Sequence, residues 1–227
     1  MGTGKSYKII LIVVASLFLV GIGYVYTSIF GNPIVKLTAR YPIQRYVKLK
    51  YPENYSIGKI SYNFKDKSYG TVVMNNNKEK YTNIVYYDDI FSDNKEEEIL
   101  KDKLNKEIHN LLKEINFKFE SLMCSVSVCI NANQKLKSME DLDRYDIAYI
   151  KINYENEISK DEFAEMALAI IPKIKANMYY KEGSEIGITY QFEKQSEFHY
   201  IQFNVKKPDI KLTKEYIVEN TTIKTYK

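Results

Sequence analysis

Residues 9–30 have the sequence IILIVVASLFLVGIGYVYTSIF, in which no side chain carries a charge. As a helix rising about 1.5 Å per residue, this segment is about 33 Å long, enough to cross a hydrocarbon core of about 30 Å. Tyr24 and Tyr26 lie toward its end, where amphipathic rings favour the membrane interface. The sequence therefore predicts one transmembrane helix, preceded by a short tail at residues 1–8.

A cleaved signal peptide is the main alternative for this segment. Its apolar region is usually about 7–15 residues long and is followed by small residues at the cleavage site. The run found here is longer, and Gly21-Ile22-Gly23 is its only small-x-small candidate. We therefore expect an uncleaved signal anchor that stays in the cell membrane as a single-pass helix.

Positive charge is concentrated beside the apolar segment. The first fifty residues hold seven Lys or Arg and no acid, although the whole chain has 33 basic and 29 acidic residues. Anionic lipid headgroups attract each nearby Lys or Arg by about 1 kcal/mol, so we expect headgroup contacts at Lys36, Arg40 and Arg45. A nucleic-acid binder would instead place its excess charge on a folded face, and we expect no nucleic-acid partner.

The same charges bear on orientation. Two lysines, Lys5 and Lys8, precede the helix, and five basic residues follow it by residue 50. Applied strictly, the positive-inside rule would place the rest of the chain in the cytoplasm. Long domains, however, cross membranes largely regardless of charge. We therefore expect the C-terminal domains outside the cytoplasm, and keep the cytoplasmic arrangement as the alternative.

Residues 31–91 have the pattern of a small α+β domain. Asn32 and Pro33 are typical of a helix start, and we expect this helix to run to about residue 50, with a kink near Pro42. Three strands should follow it, because apolar and polar residues alternate between turn signals. Their expected positions are residues 60–64, where Ile60, Tyr62 and Phe64 face inward, 69–75 and 81–87.

Residues 92–227 predict a second α+β domain that begins with a long helix. Asp93 and Glu96 have capping-box spacing and open a helix expected at residues 94–115. An apolar stripe marks its buried face. The stripe consists of Ile99, Leu100, Leu104, Ile108, Leu111, Leu112 and Ile115.

A further helix is predicted after Ser159 and Glu162, which also have capping-box spacing. Its apolar stripe is Phe163, Met166, Ala167, Ile170 and Ile174. Pro172 should kink or shorten this helix, because proline removes a backbone donor.

The strands of the second domain are expected at residues 123–130, 147–154, 186–193 and 197–205. Two interpretations remain open for the chain after Pro208, namely an edge strand or a loose tail. We expect each domain to be an antiparallel sheet covered by helix.

Cys124 and Cys129 are the only cysteines. On one continuous strand they would lie about 16 Å apart on opposite faces, whereas a disulfide needs Cα atoms within about 4.4–6.8 Å. A disulfide therefore requires a turn between them, although Ser-Val-Ser-Val favours a strand. Both alternatives stay open: a disulfide across a turn, or a buried Cys124 with a free Cys129.

The remaining polar residues predict no catalytic, metal or cofactor site. His109 and His199 have no motif-spaced partner. Four clustered acids lack the Gly and the final Glu of an EF-hand and are expected to form a solvated loop. These acids are Glu140, Asp141, Asp143 and Asp146.

Three stretches carry a family resemblance. They are GNPIVKLTARYPIQRYVKLKYPE (residues 31–53), ISYNFKDKSYGTVV (60–73) and LDRYDIAYIKINYENEISKDEFAEMALAIIPKIK (142–175). Through them the chain resembles the YfjL-like family of membrane-anchored proteins of Bacillota, over roughly residues 9–193. It departs from the family pattern at Pro42 and in residues 116–140. The resemblance implies an anchored extracytoplasmic protein with two domains, and it supplies no activity and no site residues.

These features favour a non-enzymatic, membrane-tethered binding or modulatory module whose sheet edges accept a partner's strand. The layout of the first domain is also similar to PepSY modules, some of which modulate proteases; this is analogy at the level of the fold. The alternative is an extracytoplasmic enzyme whose site assembles from distant residues, such as His199 with carboxylates. A third class is a cytoplasm-facing membrane protein whose basic segment binds anionic lipid.

Overall fold

In the computed structural model, the described residues are 3–51, 55–87, 89–131, 136–138, 141–206 and 211–226, with side chains described from residue 10 onward. The chain forms two compact units. Unit 1 comprises Met1–Ile90 with Ala132–Asp141, and unit 2 comprises Phe91–Asn131 with Leu142–Lys227. A long apolar helix followed by strands and further helices confirms the predicted α+β class.

Unit 1 begins with two helices, α1 (Thr3–Phe30) and α2 (Pro33–Lys50). Gly31 separates them in a left-handed conformation with φ +76°, which suits a residue just after a helix end. Asn32 caps α2 by accepting a hydrogen bond of 2.9 Å from the Ile34 N–H. The helix continues through Pro42, whose side chain is buried, so the departure from the family pattern there does not interrupt it.

The strands of unit 1 are β1 (Ser56–Ile57), β2 (Ser61–Asn63), β3 (Ser68–Met74) and β4 (Lys80–Tyr87). The central strand is β3: β4 pairs with one of its edges, and β1 and β2 pair with opposite ends of the other, all antiparallel. The predicted three-stranded meander is therefore present, with the short β1 added to it.

Phe64 is a correction to the predicted inward face of unit 1. Its side chain is 61 % exposed, whereas Ile60 is buried. Strand β2 ends at Asn63, so the alternation of faces that holds within a strand no longer applies to Phe64.

Unit 2 contains the predicted long helix as α3 (Asn94–Glu114), which follows β5 (Ile90–Asp93). Asp93 caps it by accepting a hydrogen bond of 3.0 Å from the Lys95 N–H. Leu100, Leu104, Ile108, Leu111 and Leu112 of the predicted stripe are buried. The two outermost members, Ile99 and Ile115, are instead 54 % and 43 % exposed; Ile115 lies beyond the last helical residue.

The next helix, α4 (Lys160–Asn177), begins with the predicted capping box. The Glu162 N–H donates to Ser159 Oγ, and the Ser159 N–H donates to Glu162 Oε2. Every member of its predicted stripe is buried, and the helix extends past Pro172. Pro172 therefore does not shorten it.

The strands of unit 2 after α3 are β6 (Ser121–Asn131), β7 (Arg144–Asn153), β8 (Glu185–Lys194), β9 (Glu197–Val205) and β10 (Thr222–Tyr226), adjacent in that order. Strands β7 and β8 are parallel, and the other pairs are antiparallel. The expectation of a wholly antiparallel sheet is therefore wrong for unit 2. The crossover through α4 brings the chain back to the end of the sheet at which β7 began.

The C-terminal part of unit 2 contains a short helix that was not predicted, α5 (Lys214–Asn220), and then β10. Thr213 caps α5 by accepting from the Tyr216 N–H at 3.2 Å. Strand β10 pairs with β9, so the edge-strand interpretation holds for residues 222–226. Pro208 lies outside the described residues.

Candidate functional site

Helix α1 presents apolar side chains on all sides. The large ones between Ile10 and Phe30 are 51–74 % exposed, whereas a helix in a soluble core would bury one face. Its polar Thr27 and Ser28 return their hydroxyls to backbone carbonyls at 2.8–3.1 Å. The described chain thus has one N-terminal helix long and apolar enough to cross a membrane, a property that signal sequences share.

The end of α1 is fixed directly to the strands of unit 1. The Asn32 N–H donates to Tyr69 Oη at 2.7 Å. Gly31 lies against the ring of Tyr62, where an added Cβ would come within 2.6 Å of Cγ. The Tyr62 and Tyr69 rings contact each other with centroids 5.0 Å apart. Because both contacts lie within two residues of Phe30, no flexible linker separates α1 from β2 and β3.

Helix α2 has an exposed face that is apolar near its start. Ile34, Leu37 and Tyr41 are 67 %, 73 % and 63 % exposed, and their i, i+3, i+7 spacing places them on one side. The other side buries Ala39, Ile43, Tyr46 and Val47. The i, i+3, i+7 spacing of these apolar residues is the sequence signal that could have predicted this exposed face.

The predicted headgroup contacts Lys36, Arg40 and Arg45 occupy different surroundings. Lys36 Nζ donates to the Phe30 carbonyl at 2.5 Å, at the end of α1. Arg45 donates to Tyr41 Oη at 3.2 Å, with its guanidinium 5.8 Å from the ring centroid. Arg40 lines the groove described next. The three residues share a helix without forming one cluster.

An open groove of about 530 Å³ lies between the second half of α2 and β1. Arg40, Gln44 and Lys48 line it at successive helical turns, together with Tyr51 and Tyr55. The tyrosine rings continue to Tyr81, with centroids 4.8–5.3 Å apart. Among the described residues that line the groove there is no acid, and Arg40 and Lys48 place positive charge beside the tyrosine rings.

The two cysteines occupy one continuous strand, β6, and both are free. Cys124 is buried and Cys129 half-buried, five positions apart and so on opposite faces. Burial raises the pKa of the Cys124 thiol to about 12 and also raises the pKa of Cys129. Nucleophilic cysteines need a lowered pKa, so this environment favours a packing role.

His109 lines an open groove of about 470 Å³ on unit 2, together with Glu120, Asn105 and Lys106. Its ring meets Phe119 edge-on, with centroids 5.1 Å apart. No local pattern predicts this groove, because α3 and the start of β6 come together only through tertiary packing. This groove places a histidine and an acid together.

His199 lies on the sheet surface of unit 2. Its ring stacks on Phe192 at 4.9 Å, and its Nδ1 lies 3.1 Å from Thr225 Oγ1. Glu157 is within electrostatic range, but its pKa is lowered mainly by the hydrogen bond from Lys194. Glu157 is therefore already engaged by Lys194, which weakens the hypothesis that it acts with His199.

The four clustered acids do not form one loop. Asp141 accepts hydrogen bonds from the Lys137 and Ser138 N–H groups at 3.1 and 2.9 Å, as a turn residue does. Asp146 is instead fully buried within β7, which corrects the expectation of a solvated position. Glu140 lies outside the described residues. Across the described chain, no group of three or more His, Cys, Asp or Glu could hold a metal ion.

Asp146 is buried because Arg144, two residues earlier on the same face of β7, neutralises it. Arg144 donates to both of its oxygens, from Nε at 2.8 Å and Nη2 at 3.1 Å. Arg144 Nη1 also reaches Glu96 at 3.3 Å, and its guanidinium lies 4.4 Å from the ring centroid of Tyr179. The Tyr179 N–H donates to Asp146 at 3.0 Å. This cluster joins the starts of α3 and β7 to the segment after α4.

Glu97, next to this cluster, accepts a 3.0 Å hydrogen bond from the Val128 N–H. Desolvation raises its pKa, and the nearby Asp93 and Asp146 carboxylates raise it further, against the lowering effect of the Val128 bond. Its contacts connect it to β6 and to buried acids rather than to an open cleft.

Strand β10 is the last strand of its sheet, and its outer edge pairs with no described strand. All five of its residues are exposed, and Ile223 and Tyr226 are each 53 % exposed. An exposed edge of this kind can accept a further strand.

Comparison with known families identifies the first part of the chain. Residues 6–98 match the model of the YfjL-like N-terminal domain. Over these residues the chain is similar to the YfjL-like family. No curated protein and no solved structure matches it.

The YfjL-like domain spans α1, α2 and the strands of unit 1 and ends within α3. The predicted resemblance is therefore confirmed over residues 6–98. For residues 142–175 it stays a prediction, because the matched region ends before them.

Proposed function

We propose that this YfjL-like protein is a single-pass membrane protein, anchored by an uncleaved α1, whose two units act outside the cytoplasm as a non-enzymatic binding or modulatory module. The observation that carries the proposal is the exposure of α1 on all sides. Each Å² of apolar surface exposed to water costs about 25 cal/mol. Such a helix is therefore unfavourable in water and stable in lipid, where its backbone groups are also satisfied internally.

The contacts of Gly31 and Asn32 favour a permanent anchor over a signal sequence that is removed. They tie the end of α1 to Tyr62 and Tyr69 of the folded domain. The family match also begins at residue 6 and includes the whole apolar run. Cleavage at Gly21-Ile22-Gly23 would leave about nine apolar or neutral residues exposed before α2.

Two surfaces are suited to a partner. The outer edge of β10 offers unpaired backbone groups to an extended segment. The groove beside Arg40 and Lys48 combines positive charge with tyrosine rings, which are frequent at recognition sites. An extended segment with acidic side chains would match either surface, because Lys224 lies in the middle of β10.

Orientation is tested by protease treatment of intact cells that express the full chain with a C-terminal epitope. We expect the epitope to be lost without lysis, because the units lie outside. An epitope protected until the cells are permeabilised would overturn the extracytoplasmic placement and favour the cytoplasm-facing alternative.

Binding is tested with a photo-cross-linking amino acid at Ile223 on the β10 edge and at Gln44 in the groove. Met123, which is 55 % exposed on the interior strand β6, is the matched control. We expect discrete cross-linked species from at least one of the first two positions and not from Met123. The same background at all three positions would contradict the binding role.

The groove at His109 supports the enzyme alternative as a second candidate, because Glu120 lines it as well. A histidine and a carboxylate can share general acid and base roles. If the groove is catalytic, His109→Gln should abolish a cellular phenotype that Asn110→Gln, at an exposed position in the same groove, leaves intact. Equal phenotypes for the two variants would exclude it.

A further inference from the structure

We propose that the end of unit 1 next to α1 docks on an anionic phospholipid surface, with Ile34, Leu37 and Phe64 inserted at the boundary between headgroups and acyl chains. We call this set the docking end. The inference rests on the proposed membrane anchor and adds a second, peripheral contact to it.

The position of the docking end follows from the contacts of α1. Helix α1 ends at Phe30, and Ile34 and Leu37 follow on the first turns of α2, 67 % and 73 % exposed. If Phe30 marks the edge of the hydrocarbon core, about 1.5 Å of rise per residue places the Ile34 backbone at most about 6 Å beyond that edge, within a headgroup region about 5–7 Å deep. The Leu37 backbone lies at most about 10 Å beyond it, and its side chain, which leans toward the start of the helix, reaches back into that region.

Phe64 reaches the same region from a different part of the sequence. Its neighbour Tyr62 lies against Gly31, one residue after α1 ends. Phe64 follows two positions later, 61 % exposed in the turn between β2 and β3. A large aromatic side chain at an exposed turn beside a membrane-spanning helix is typical of an interfacial anchor.

The charges around the docking end favour an anionic lipid surface as its binding partner. Lys36 is fixed at the end of α1 by its bond to the Phe30 carbonyl, and Lys65 and Lys67 are exposed in the same turn as Phe64. The acid in that turn, Asp66, is hydrogen-bonded to Asn63, and residues 31–50 contain no acid. Basic side chains around apolar ones match an anionic lipid surface.

The far end of β3 provides an internal comparison. The turn that joins β3 to β4 contains Asn77 and Lys78, both exposed. Lys67 and Lys78 have the same left-handed backbone, with φ 51° and 61°. The two turns lie at opposite ends of a seven-residue strand, about 20 Å apart at roughly 3.3 Å per residue.

The chain has no Trp, so single tryptophans report position directly. We would reconstitute the full-length variants Phe18→Trp, Leu37→Trp, Phe64→Trp and Asn77→Trp in nanodiscs of phosphatidylglycerol carrying brominated acyl chains. Fluorescence quenching relative to unbrominated lipid is the measurement.

The expected result is strong quenching at positions 18, 37 and 64 and none at 77. In phosphatidylcholine, quenching at position 64 should fall at least twofold. Lys65→Gln with Lys67→Gln should reduce quenching at position 64 in phosphatidylglycerol by a similar factor, whereas Lys78→Gln should not.

The two possible failures are distinguishable. Absence of quenching at position 18 would overturn the anchor itself. Quenching at 18 without quenching at 37 and 64 would overturn the docking while leaving the anchor intact. Blue-shifted but unquenched emission at 37 or 64 would place the tryptophan against protein, either this chain or a second copy of it, and would overturn docking on lipid. Equal quenching in both lipids would refute the role of charge.

Discussion

Gly31 is the residue on which the junction between α1 and the folded domain depends. It has φ +76° and lies against Tyr62. The left-handed conformation costs other residues about 1–2 kcal/mol, and an added Cβ would also displace the Tyr62 ring. We therefore predict that Gly31→Ala loosens β2, measured as faster hydrogen–deuterium exchange of residues 61–70 in the detergent-solubilised chain.

Gly70→Ala is the matched control for this prediction. Gly70 lies in β3 of the same sheet, and a Cβ there would meet its nearest neighbour, the Ile84 carbonyl oxygen, at an ordinary 3.7 Å. Exchange that is unchanged by Gly31→Ala, or changed as much by Gly70→Ala, would contradict the proposed role of the junction.

Glu97 gives a prediction with a defined sign in pH. Desolvation raises the pKa of Glu97 in the folded state above its ordinary value of 4.5, which we take for the unfolded state. Between the unfolded-state pKa and the folded-state pKa, folding is therefore accompanied by proton uptake. The free energy of unfolding should therefore fall as the pH rises through this window. Glu97→Gln keeps an acceptor for the Val128 N–H and removes the charge, so it should stabilise the protein at pH 7 and lose that advantage below about pH 4.

The measurement is the urea concentration at the unfolding midpoint of unit 2, detected by circular dichroism at several pH values between 3 and 8. Glu98→Gln is the matched control, because it removes the same charge from an exposed neighbouring position near the start of α3. Only a gain beyond that of the control counts. A Glu97→Gln variant less stable than the parent at pH 7 would refute the desolvation argument.

At the scale of secondary-structure elements, the Arg144 cluster holds α3, β7 and the segment after α4 together. Asp146 is fully buried and Arg144 nearly so. Removing one partner of a buried ion pair typically costs about 3–5 kcal/mol, because the other charge stays buried. Asp146→Asn should therefore destabilise unit 2 strongly, measured as labelling of the buried Cys124 thiol at lower denaturant concentration in a Cys129→Ser background.

Two further variants test the cause of that loss. Adding Arg144→Met to Asp146→Asn removes the guanidinium that has lost the charge of Asp146 and should recover much of the stability. Glu157→Gln breaks the exposed pair with Lys194 and should leave the Cys124 labelling nearly unchanged. If the double variant were no more stable than Asp146→Asn, the loss would come from packing rather than charge.

Elements with strong local signals were predictable from the sequence. The stripe around Leu104, the capping box at Ser159 and the alternation in β8 each depend on near neighbours in the chain, and each is present in the structure. The parallel pairing of β7 and β8 was not predictable from local patterns, because it depends on the direction in which α4 returns.

Features of the candidate sites divide in the same way, into those that follow from local sequence and those that follow from tertiary contacts. The basic residues after α1 were visible as composition. The exposure of Phe64, the approach of Gly31 to Tyr62 and the groove at His109 arise from contacts between distant segments, so no local pattern reports them. The Arg144–Asp146 pair was within reach of period-two reasoning, but the strand was predicted to begin at residue 147, three residues too late.

At the scale of the whole molecule, a folded YfjL-like domain follows the exposed apolar helix α1 directly, without a linker. We therefore predict that α1 is retained in the mature protein and anchors both units, which follow it on the same chain. The partner surfaces and the docking end have their proposed roles only if α1 is retained in the membrane.

The most direct test is the intact mass of the protein recovered from cell membranes after an alkaline carbonate wash. The account predicts that the chain stays in the washed membrane pellet with all of residues 9–30 present in its mass. Recovery from the medium or the wash as a species that begins after residue 20 would contradict it.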